Sequence, residues 1–277
     1  MSWPRYDVNL SILFTELPLL RRPAAAAAAG FDAVEFWWPW PDEPVPDDAT
    51  VDRFVTAIGD AGVRLVGLNF AAGQLPGPDR GLLSDPARSA RFRDNVAVAV
   101  DIADRTGCGA LNALYGNRIG GLDPAGQDEL AIQNLVFAGR AADRIGAVVL
   151  IEALNAAESP HYPLLSLADA AAVVDRVAAV SEVDNLRLLC DLYHLARGGE
   201  TDLPGTIAAH ARRIGHVQLA DCPGRHQPGT GSLDLAAAQA ALADGGYTGW
   251  IGLEYVPDGP SADSFGWLDR TSERNTA

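Results

Sequence analysis

Residues 148–155 read Val-Val-Leu-Ile-Glu-Ala-Leu-Asn, an apolar run of strand length that ends in the carboxylate of Glu152. The pattern recurs three times downstream, where apolar runs end in Asp191, in Gln218 and in Glu254. Continuous apolar runs of this length are typical of strands that are buried on both faces of a parallel sheet. If such a sheet closes into a barrel, the carboxyl ends of its strands meet at one mouth. The pattern therefore predicts that three carboxylates and one amide converge there.

Strand-like runs alternate with helix-like segments along the 277 residues. Glycines follow most of the predicted helices, and aspartate or serine precedes several of them, as helix caps do. The predicted strands are 7–14, 33–36, 65–70, 110–115, 148–153, 186–191, 214–219 and 250–255. The predicted helices are 17–29, 49–61, 85–107, 123–146, 167–179, a helix that ends with 206–213, and 234–243.

Eight alternating units in a chain of this length favour an α/β fold in which the sheet closes into a (β/α)8 TIM barrel. The first strand is not followed by Gly-x-Gly-x-x-Gly, which argues against an open dinucleotide-binding sheet. We see no linker-like composition that would separate two units. We therefore expect one barrel domain over residues 1–277.

The composition narrows the range of functions. A net charge of −15 disfavours nucleic acid and anionic membranes as partners. All 21 basic residues are arginine, which excludes chemistry through a lysine Schiff base, including pyridoxal-phosphate enzymes. The three cysteines have no Cys-x-x-Cys spacing, and neither a signal-peptide pattern nor an apolar run of about 20 residues is evident. We therefore expect reduced thiols and a cytoplasmic protein.

The four predicted strand-end residues, Glu152, Asp191, Gln218 and Glu254, offer only oxygen ligands. Hard divalent cations prefer oxygen, whereas zinc prefers histidine or cysteine. Three carboxylates at one mouth would repel one another, and a cation relieves that repulsion. The residues thus indicate one Mg²⁺ or Mn²⁺ ion. The alternative is that each is merely a polar residue where a strand meets solvent.

Two further residues follow the predicted ligands closely enough to reach the same pocket. His194 lies three residues after Asp191, where its imidazole could contact a substrate oxygen, although it could also be an ordinary loop histidine. Glu158 lies in the segment after Glu152, where it could border the pocket or simply be solvated. His216 shares a strand face with Gln218, and we favour a hydrogen-bonded structural role for it over ligation.

Three loop features suit a binding pocket. Arg225 and the backbone of Gly229–Gly231 follow the seventh strand and would suit a small anion, or they form a glycine turn with a solvated arginine. The Gly/Pro-rich segment 71–83 is long for a βα connection, so it is a candidate lid. The Trp-Trp-Pro-Trp run at 37–40 is either a pocket wall or a subunit contact.

Taken together, these motifs resemble the hydroxypyruvate isomerase family of xylose-isomerase-like barrels over roughly residues 6–267. The residues that carry the resemblance are Asn9-Leu10-Ser11, Val34-Glu35-Phe36, Ile151-Glu152, Asp191-Leu192-Tyr193-His194, Gly215-His216-Val217-Gln218, Ala220-Asp221, Pro228-Gly229-Thr230-Gly231 and Glu254-Tyr255. The resemblance implies that Glu152, Asp191, Gln218 and Glu254 bind the metal and that Glu152 and Glu254 are the acid–base pair. His194 and Glu158 match substrate-contacting positions of related ketose 3-epimerases, which usually carry histidine where this chain has Gln218.

The resemblance implies a metal-dependent isomerase for a small 2-oxo acid, with hydroxypyruvate and tartronate semialdehyde as the first hypothesis. In that hypothesis Arg225 binds the substrate carboxylate. The alternatives are a 2-oxo-tetronate isomerase, a ketose 3-epimerase, an endonuclease of the same superfamily, which the acidity disfavours, and a non-catalytic sugar-acid-binding barrel. We expect a small-molecule partner and leave assembly into a homo-oligomer open.

Overall fold

The computed structural model describes residues 4–268, in which eight parallel strands close into a barrel. The strands follow one another around the barrel in chain order, and the first pairs with the last to close it. This confirms the predicted TIM barrel. The strands are β1 Arg5–Asn9, β2 Ala33–Phe36, β3 Arg64–Asn69, β4 Ala110–Asn112, β5 Val148–Glu152, β6 Leu186–Asp191, β7 Ile214–Leu219 and β8 Trp250–Leu253.

Helices on the outside of the barrel connect the strands, as this fold requires. They are α1 Arg22–Ala28, α2 Asp48–Ala61, α3 Ser89–Thr106, α4 Pro124–Asp143, α5 Leu167–Val180, α6 Leu192–Arg197, α7 Leu203–His210 and α8 Leu235–Asp244. Short 3₁₀ turns cover Leu19–Arg21, Ala211–Arg213 and Ser261–Phe265. None of the helices within 4–268 is long and apolar enough to cross a membrane.

Local capping explains why several helices begin where the sequence predicted. The Ser166 hydroxyl accepts a hydrogen bond from the Asp169 amide and donates one to its carboxylate, so Ser166 caps the start of α5. Gly62 and Gly107 end α2 and α3 in the left-handed conformation that glycine adopts most easily. These caps fix where the chain leaves each helix to enter the next strand.

Several predicted strands are too long, two of them because side chains interrupt the sheet. β1 ends at Asn9 instead of residue 14, since the Asn9 side chain accepts a hydrogen bond from the Ser11 amide and turns the chain. β4 ends at Asn112 instead of residue 115, since the Tyr115 amide donates to the Tyr162 hydroxyl rather than to a neighbouring strand. The predicted eighth strand likewise ends early, at Leu253, so Glu254 lies just beyond it.

Helix boundaries differ for similar local reasons. Asp85 does not begin α3, because its carboxylate accepts bonds from the Ala87 amide and from Arg88 within a separate turn. The first predicted helix divides into a 3₁₀ turn and α1. α4 stops at Asp143, and the helix predicted to end with 206–213 ends at His210, with a 3₁₀ turn after it.

The interior of the barrel combines an apolar cluster with a polar one. Ala110, Leu150 and Leu189 form a small buried cluster separate from the large core between sheet and helices. Glu35 projects into space that two glycines leave open, because a Cβ on Gly252 would lie 2.7 Å from its Oε1 and a Cβ on Gly67 3.1 Å from its Oε2. The lack of a side chain at Gly67 on β3 and at Gly252 on β8 therefore makes room for the Glu35 carboxylate inside the barrel.

Candidate active site

A cavity of about 110 Å³ opens at the carboxyl ends of the strands. Its walls include Glu152 at the end of β5, Glu254 just after β8, and loop residues from several βα connections. Asp191 and Gln218, at the ends of β6 and β7, are buried with 2% and 3% of their surface exposed. Register pairs these two residues directly across β6 and β7. The four strand-end residues are therefore at the mouth, as the sequence predicted.

Each of the two glutamates has one oxygen held by a neighbouring side chain. Asn112 Nδ2 donates to Glu152 Oε2 at 2.8 Å. Trp37 Nε1 donates to Glu254 Oε1 at 2.9 Å, and Arg225 Nη2 donates to the same oxygen at 3.2 Å. Glu254 Oε2 is buried and has no hydrogen-bond partner among the described residues. The outer contacts thus orient both carboxylates and leave Glu254 Oε2 available.

The other two strand-end residues are oriented in the same way. Gln218 Nε2 donates to Glu35 Oε1 at 2.7 Å, so the amide must present its Oε1 elsewhere. That Oε1 is buried and without a hydrogen-bond partner within 4–268. Asp191 Oδ1 accepts a bond from the backbone amide of His194 at 2.9 Å, as the N-cap of α6.

These contacts fit a divalent cation. Ligand atoms of Glu152, Asp191 and His194 lie within 4.8 Å of one another, close enough to share an ion. Glu254 Oε2 and Gln218 Oε1 are buried without hydrogen-bond partners among the described residues. Burying such oxygens costs free energy, and contact with a cation would offset that cost. Outer hydrogen bonds that orient each ligand are typical of metal sites. An oxygen-rich donor set of this kind suits Mg²⁺ or Mn²⁺.

Burial and like charges favour the protonated forms of both glutamates. Burial, with the Asp191 carboxylate as second cause, raises the pKa of Glu152 to about 8. Burial also raises the pKa of Glu254 well above its usual range, although Arg225 opposes this shift. A divalent cation at the mouth would act in the opposite direction and favour the ionised forms of both carboxylates.

His194 lies on α6, a short helix that follows β6 directly, so the alternative of an ordinary loop histidine is wrong. The backbone amide of Asn155 donates to its Nδ1 at 3.1 Å, so Nδ1 is unprotonated and Nε2 carries the hydrogen. Burial lowers the pKa of His194 to about 4, against the opposing effect of Asp191. His194 is therefore a neutral donor that borders the cavity, and its Nε2–H is better suited to a substrate oxygen than to ligation.

Glu158 and Arg225 meet on the same wall of the cavity. Arg225 Nη1 lies 3.5 Å from Glu158 Oε2, and the guanidinium stacks over Tyr193, whose hydroxyl donates to Glu158. Burial raises the pKa of Glu158, but Tyr193 and Arg225 outweigh it and the net shift is downward. Arg225 has φ 57°, a strained value for a non-glycine residue, and its amide donates to the Asp221 carbonyl.

The predicted anion site at Gly229–Gly231 is wrong. The Gly229 and Gly231 amides donate to Asp221 Oδ2 at 2.8 and 2.9 Å, so the chain's own carboxylate occupies them. The sequence placed Asp221 next to this loop but gave no sign that its side chain folds back onto the loop. Arg225 remains as the candidate contact for an anion.

The Trp-rich run contributes to the pocket wall, one of its two predicted roles, through Trp37, which lines the cavity, while Trp38 is buried against Trp40. Two other residues in or beside the site were not predicted. Arg80 reaches the cavity from the long loop 71–83. Glu35, which orients Gln218, also accepts a 2.6 Å bond from His216, in agreement with a structural role for that histidine. Glu35 lies one residue before the end of β2, a short strand, and a search for polar residues near strand ends could have identified it.

Comparison with known proteins identifies the family to which this barrel belongs. The chain belongs to the xylose isomerase-like TIM barrel family, whose model matches residues 23–271. It is 64% identical over 266 residues to a putative hydroxypyruvate isomerase of Streptomyces coelicolor, with 95% of each chain covered. It is 34% identical to a 2-oxo-tetronate isomerase of Cupriavidus necator, covering 96% of this chain and 97% of the relative.

A solved structure gives the same architecture. The crystal structure of an AP endonuclease, family 2, from Brucella melitensis superposes with a TM-score of 0.86 at 32% identity, covering 97% of this chain and 99% of that one. Both relatives match this chain over almost their whole length, and both are named isomerases. The chain is therefore an enzyme of the isomerase class, similar to hydroxypyruvate isomerases.

Proposed function

We propose that this chain is a divalent-metal-dependent isomerase that interconverts hydroxypyruvate and tartronate semialdehyde through an enediol. The observation that carries the proposal is the pair Glu152 and Glu254. Both are buried at the mouth, and both line one cavity. A proton transfer between adjacent carbons needs two such groups.

The barrel order puts these glutamates on different sides of the mouth. Glu152 ends β5 and Glu254 follows β8, which are three strands apart one way around the ring and five the other. A small substrate between them can lose a proton to one carboxylate and receive one from the other. In hydroxypyruvate the proton leaves C3 and is returned at C2, while the hydroxyl proton passes from the C3 oxygen to the C2 oxygen.

The remaining residues of the chain bind and orient the substrate. The neutral His194 Nε2–H donates to a substrate oxygen that gains charge, a preorganised donor of the kind that stabilises such charge. Arg225 binds the carboxylate, and Trp37 keeps Glu254 in place through its indole N–H. Leu75, Pro76 and Leu114 supply apolar walls that exclude water from the enediol.

Glu152, Asp191, Gln218 and Glu254 would hold the cation. When bound, the ion polarises the substrate carbonyl and offsets the charge of the enediolate. Charge neutrality supports this set, since three buried carboxylates need a nearby positive charge beyond Arg225. Glu35 supports it as well, because its bond to Gln218 Nε2 turns the amide oxygen away from itself.

The size of the cavity favours a short acid. At about 110 Å³ it is far smaller than the about 300–1,000 Å³ of sites for drug-sized ligands, so it suits three or four carbons better than a hexose. The relative named 2-oxo-tetronate isomerase makes a four-carbon 2-oxo acid the second candidate. We also propose, from the sequence alone, that the protein acts in the cytoplasm.

The test is an assay of metal-free protein before and after adding Mg²⁺ or Mn²⁺, with hydroxypyruvate, 2-oxo-tetronates and ketohexoses as substrates. We expect EDTA to abolish turnover, the cations to restore it, and hydroxypyruvate to have the highest kcat/KM. Full activity in protein verified to be metal-free would contradict the metal dependence. A preference for ketohexoses would contradict the substrate class.

A further inference from the structure

A second arginine, Arg80, lines the same cavity as Arg225. It comes from the long loop between β3 and α3, whereas Arg225 comes from the loop after β7. The acid between them is Glu158, which pairs with Arg225 through its carboxylate and with Arg80 through its backbone carbonyl. The two guanidinium groups therefore approach one part of the cavity from separate loops.

Neighbouring groups hold Arg80 firmly. Its Nε donates to Ser159 Oγ at 2.7 Å, and its Nη1 donates to the carbonyls of Gly77 and Asp79 at 2.5 and 2.6 Å. Its Nη2 donates to the Glu158 carbonyl at 3.1 Å. Four of the five N–H groups of a guanidinium are thereby engaged within the described chain, which leaves one on Nη2 for a ligand.

Arg225 forms ion pairs with Glu158 and Glu254, whereas the charge of Arg80 is compensated less directly. Burial lowers the pKa of Arg80, and the like charge of Arg225 lowers it further, against the opposing effect of the Glu158, Asp79 and Glu152 carboxylates. Arg225 Nε is buried and has no hydrogen-bond partner among residues 4–268. Arg80 makes no side-chain ion pair there, because its acceptors are carbonyls and a hydroxyl. An anion placed near both guanidinium groups would relieve the repulsion.

We propose that Arg80 and Arg225 together bind the carboxylate of the substrate, and that Arg80 is the residue that selects 2-oxo acids over neutral sugars. The inference rests on the proposed isomerase function and deepens it by naming the group that is recognised. A rigid guanidinium suits this task, because little freedom remains to be lost when a planar carboxylate binds.

The matched control for Arg80 is Arg88. Arg88 tethers the same segment through Asp79 and Asp85, but it does not line the cavity. Arg80→Gln removes a charge from the cavity together with a tether, whereas Arg88→Gln removes a tether and a charge that lies outside the cavity lining. Ser159→Ala is a milder variant, since it keeps the Arg80 charge and deletes one anchor.

The substrates are chosen to isolate the carboxylate. 1,3-Dihydroxyacetone is hydroxypyruvate with the carboxylate replaced by a hydroxymethyl group, and its isomer is glyceraldehyde. For Arg80→Gln we expect the KM for hydroxypyruvate to rise about 10- to 100-fold, the scale of a hydrogen bond to a charged group, with kcat/KM for dihydroxyacetone nearly unchanged. Arg88→Gln should leave the ratio of the two kcat/KM values as in the wild type. Ser159→Ala should raise the KM for hydroxypyruvate several-fold.

Calorimetric binding of glycerate and glycerol to the metal-loaded protein separates this inference from the proposed function. If no variant turns over either substrate, the isomerase proposal fails, yet weaker glycerate binding in Arg80→Gln than in Arg88→Gln would still support the anion subsite. Equal losses for the acid and the neutral compound in Arg80→Gln would overturn it, because Arg80 would then be only a tether. Unchanged glycerate binding and KM would overturn it as well. If Arg80→Gln does not fold, an unchanged KM in Ser159→Ala is the overturning result.

Discussion

Two groups of polar and charged residues lie inside the same barrel, and one of them faces the cavity at its mouth. The mouth group is Glu152, Asp191, Gln218 and Glu254. The interior group is Asp7, Glu35 and His216, whose ligand atoms also lie within 4.8 Å of one another. In the mouth group, Gln218 Oε1 and Glu254 Oε2 have no hydrogen-bond partner among the described residues, and Glu254 lines the cavity. In the interior group, Glu35 accepts bonds from Asn9, His216 and Gln218, and none of the three residues lines the cavity.

The difference shows that side chains able to bind a metal can lie close together without forming a functional site. The interior histidine is already committed to Glu35, which outweighs the effect of burial and raises the pKa of His216. The interior group therefore behaves as a hydrogen-bonded support that orients Gln218 from below. The mouth group combines oxygens that lack partners with access to the cavity, whereas the oxygens of Asp7 that lack partners are enclosed in the barrel. Substitutions in the two groups should accordingly have opposite effects on activity and stability.

The largest effect is expected for Glu254→Gln, which keeps the shape and one oxygen but removes the base. We expect kcat to fall by about 10²-fold or more, the usual scale for a positioned acid–base group, with a smaller loss of metal affinity. Stability in urea should change little, because the side chain remains hydrogen-bonded to Trp37. Substrate deuterated at C3 checks the route, and complete retention of that deuterium in the product together with near-wild-type kcat would favour a hydride shift.

The next effect is expected in the interior, for Glu35→Gln. Glu35 accepts from three donors, and an amide nitrogen at this position would leave at least one of them unpaired in the barrel. We expect the free energy of unfolding to fall by about 1–3 kcal/mol, the usual cost of an unsatisfied buried polar group. Urea denaturation measures this change. If Glu35→Gln lost kcat as steeply as Glu254→Gln while keeping its stability, the distinction between the two groups would be wrong.

A smaller effect is expected for residues that contact substrate without binding metal. His194→Ala deletes one hydrogen-bond donor and should lower kcat/KM about 10-fold, consistent with one bond to a charged oxygen. Glu158→Gln weakens the contact with Arg225 and should also lower activity. Elemental analysis should find near-stoichiometric metal in both variants, and the exposed His161→Ala is the control. Loss of metal from His194→Ala would make the histidine a ligand.

The sequence was sufficient for the barrel and for its four strand-end residues. Buried strands give continuous apolar runs in the sequence. A polar residue at the carboxyl end of such a run in a parallel barrel lies at the mouth of the barrel. Their location at the mouth can therefore be predicted without knowing their spatial neighbours, and this holds for Glu152, Asp191, Gln218 and Glu254. Helix caps such as Ser166 are equally local, and these also could be predicted.

Contacts between residues that are far apart in the sequence could not be predicted. The Trp37–Glu254 bond joins residues 217 positions apart, and the His216–Glu35 bond joins residues 181 apart. Arg80 looks like any loop arginine until the fold brings it beside Ser159. Asp221 likewise folds back onto the glycine loop and fills the site that we expected an anion to occupy. Such pairings depend on the geometry of the closed barrel and leave no periodic pattern.

The smallest effect is expected for Asp7, the least satisfied member of the interior group. Asp7 is fully buried, and neither carboxylate oxygen has a hydrogen-bond partner in the described part of the chain. Burial raises its pKa well above the usual value, and Glu35 adds to the shift while His216 opposes it. A raised carboxyl pKa means that the folded protein holds this proton more tightly than the unfolded chain. Folding is therefore penalised increasingly as pH rises above the unfolded value of 3.8, until the folded group itself ionises.

Asp7→Asn removes this penalty because the amide does not ionise. We expect the variant to be more stable than the wild type at pH 7, by on the order of 1 kcal/mol, and the difference to shrink as the pH falls towards 4. Urea unfolding at several pH values measures this trend, with kcat unchanged because Asp7 does not reach the cavity. A difference that is constant with pH would mean that a partner stabilises the Asp7 carboxylate. A large loss of stability at pH 7 would make Asp7 a necessary member of the interior group, and the contrast with the mouth would then be one of access alone.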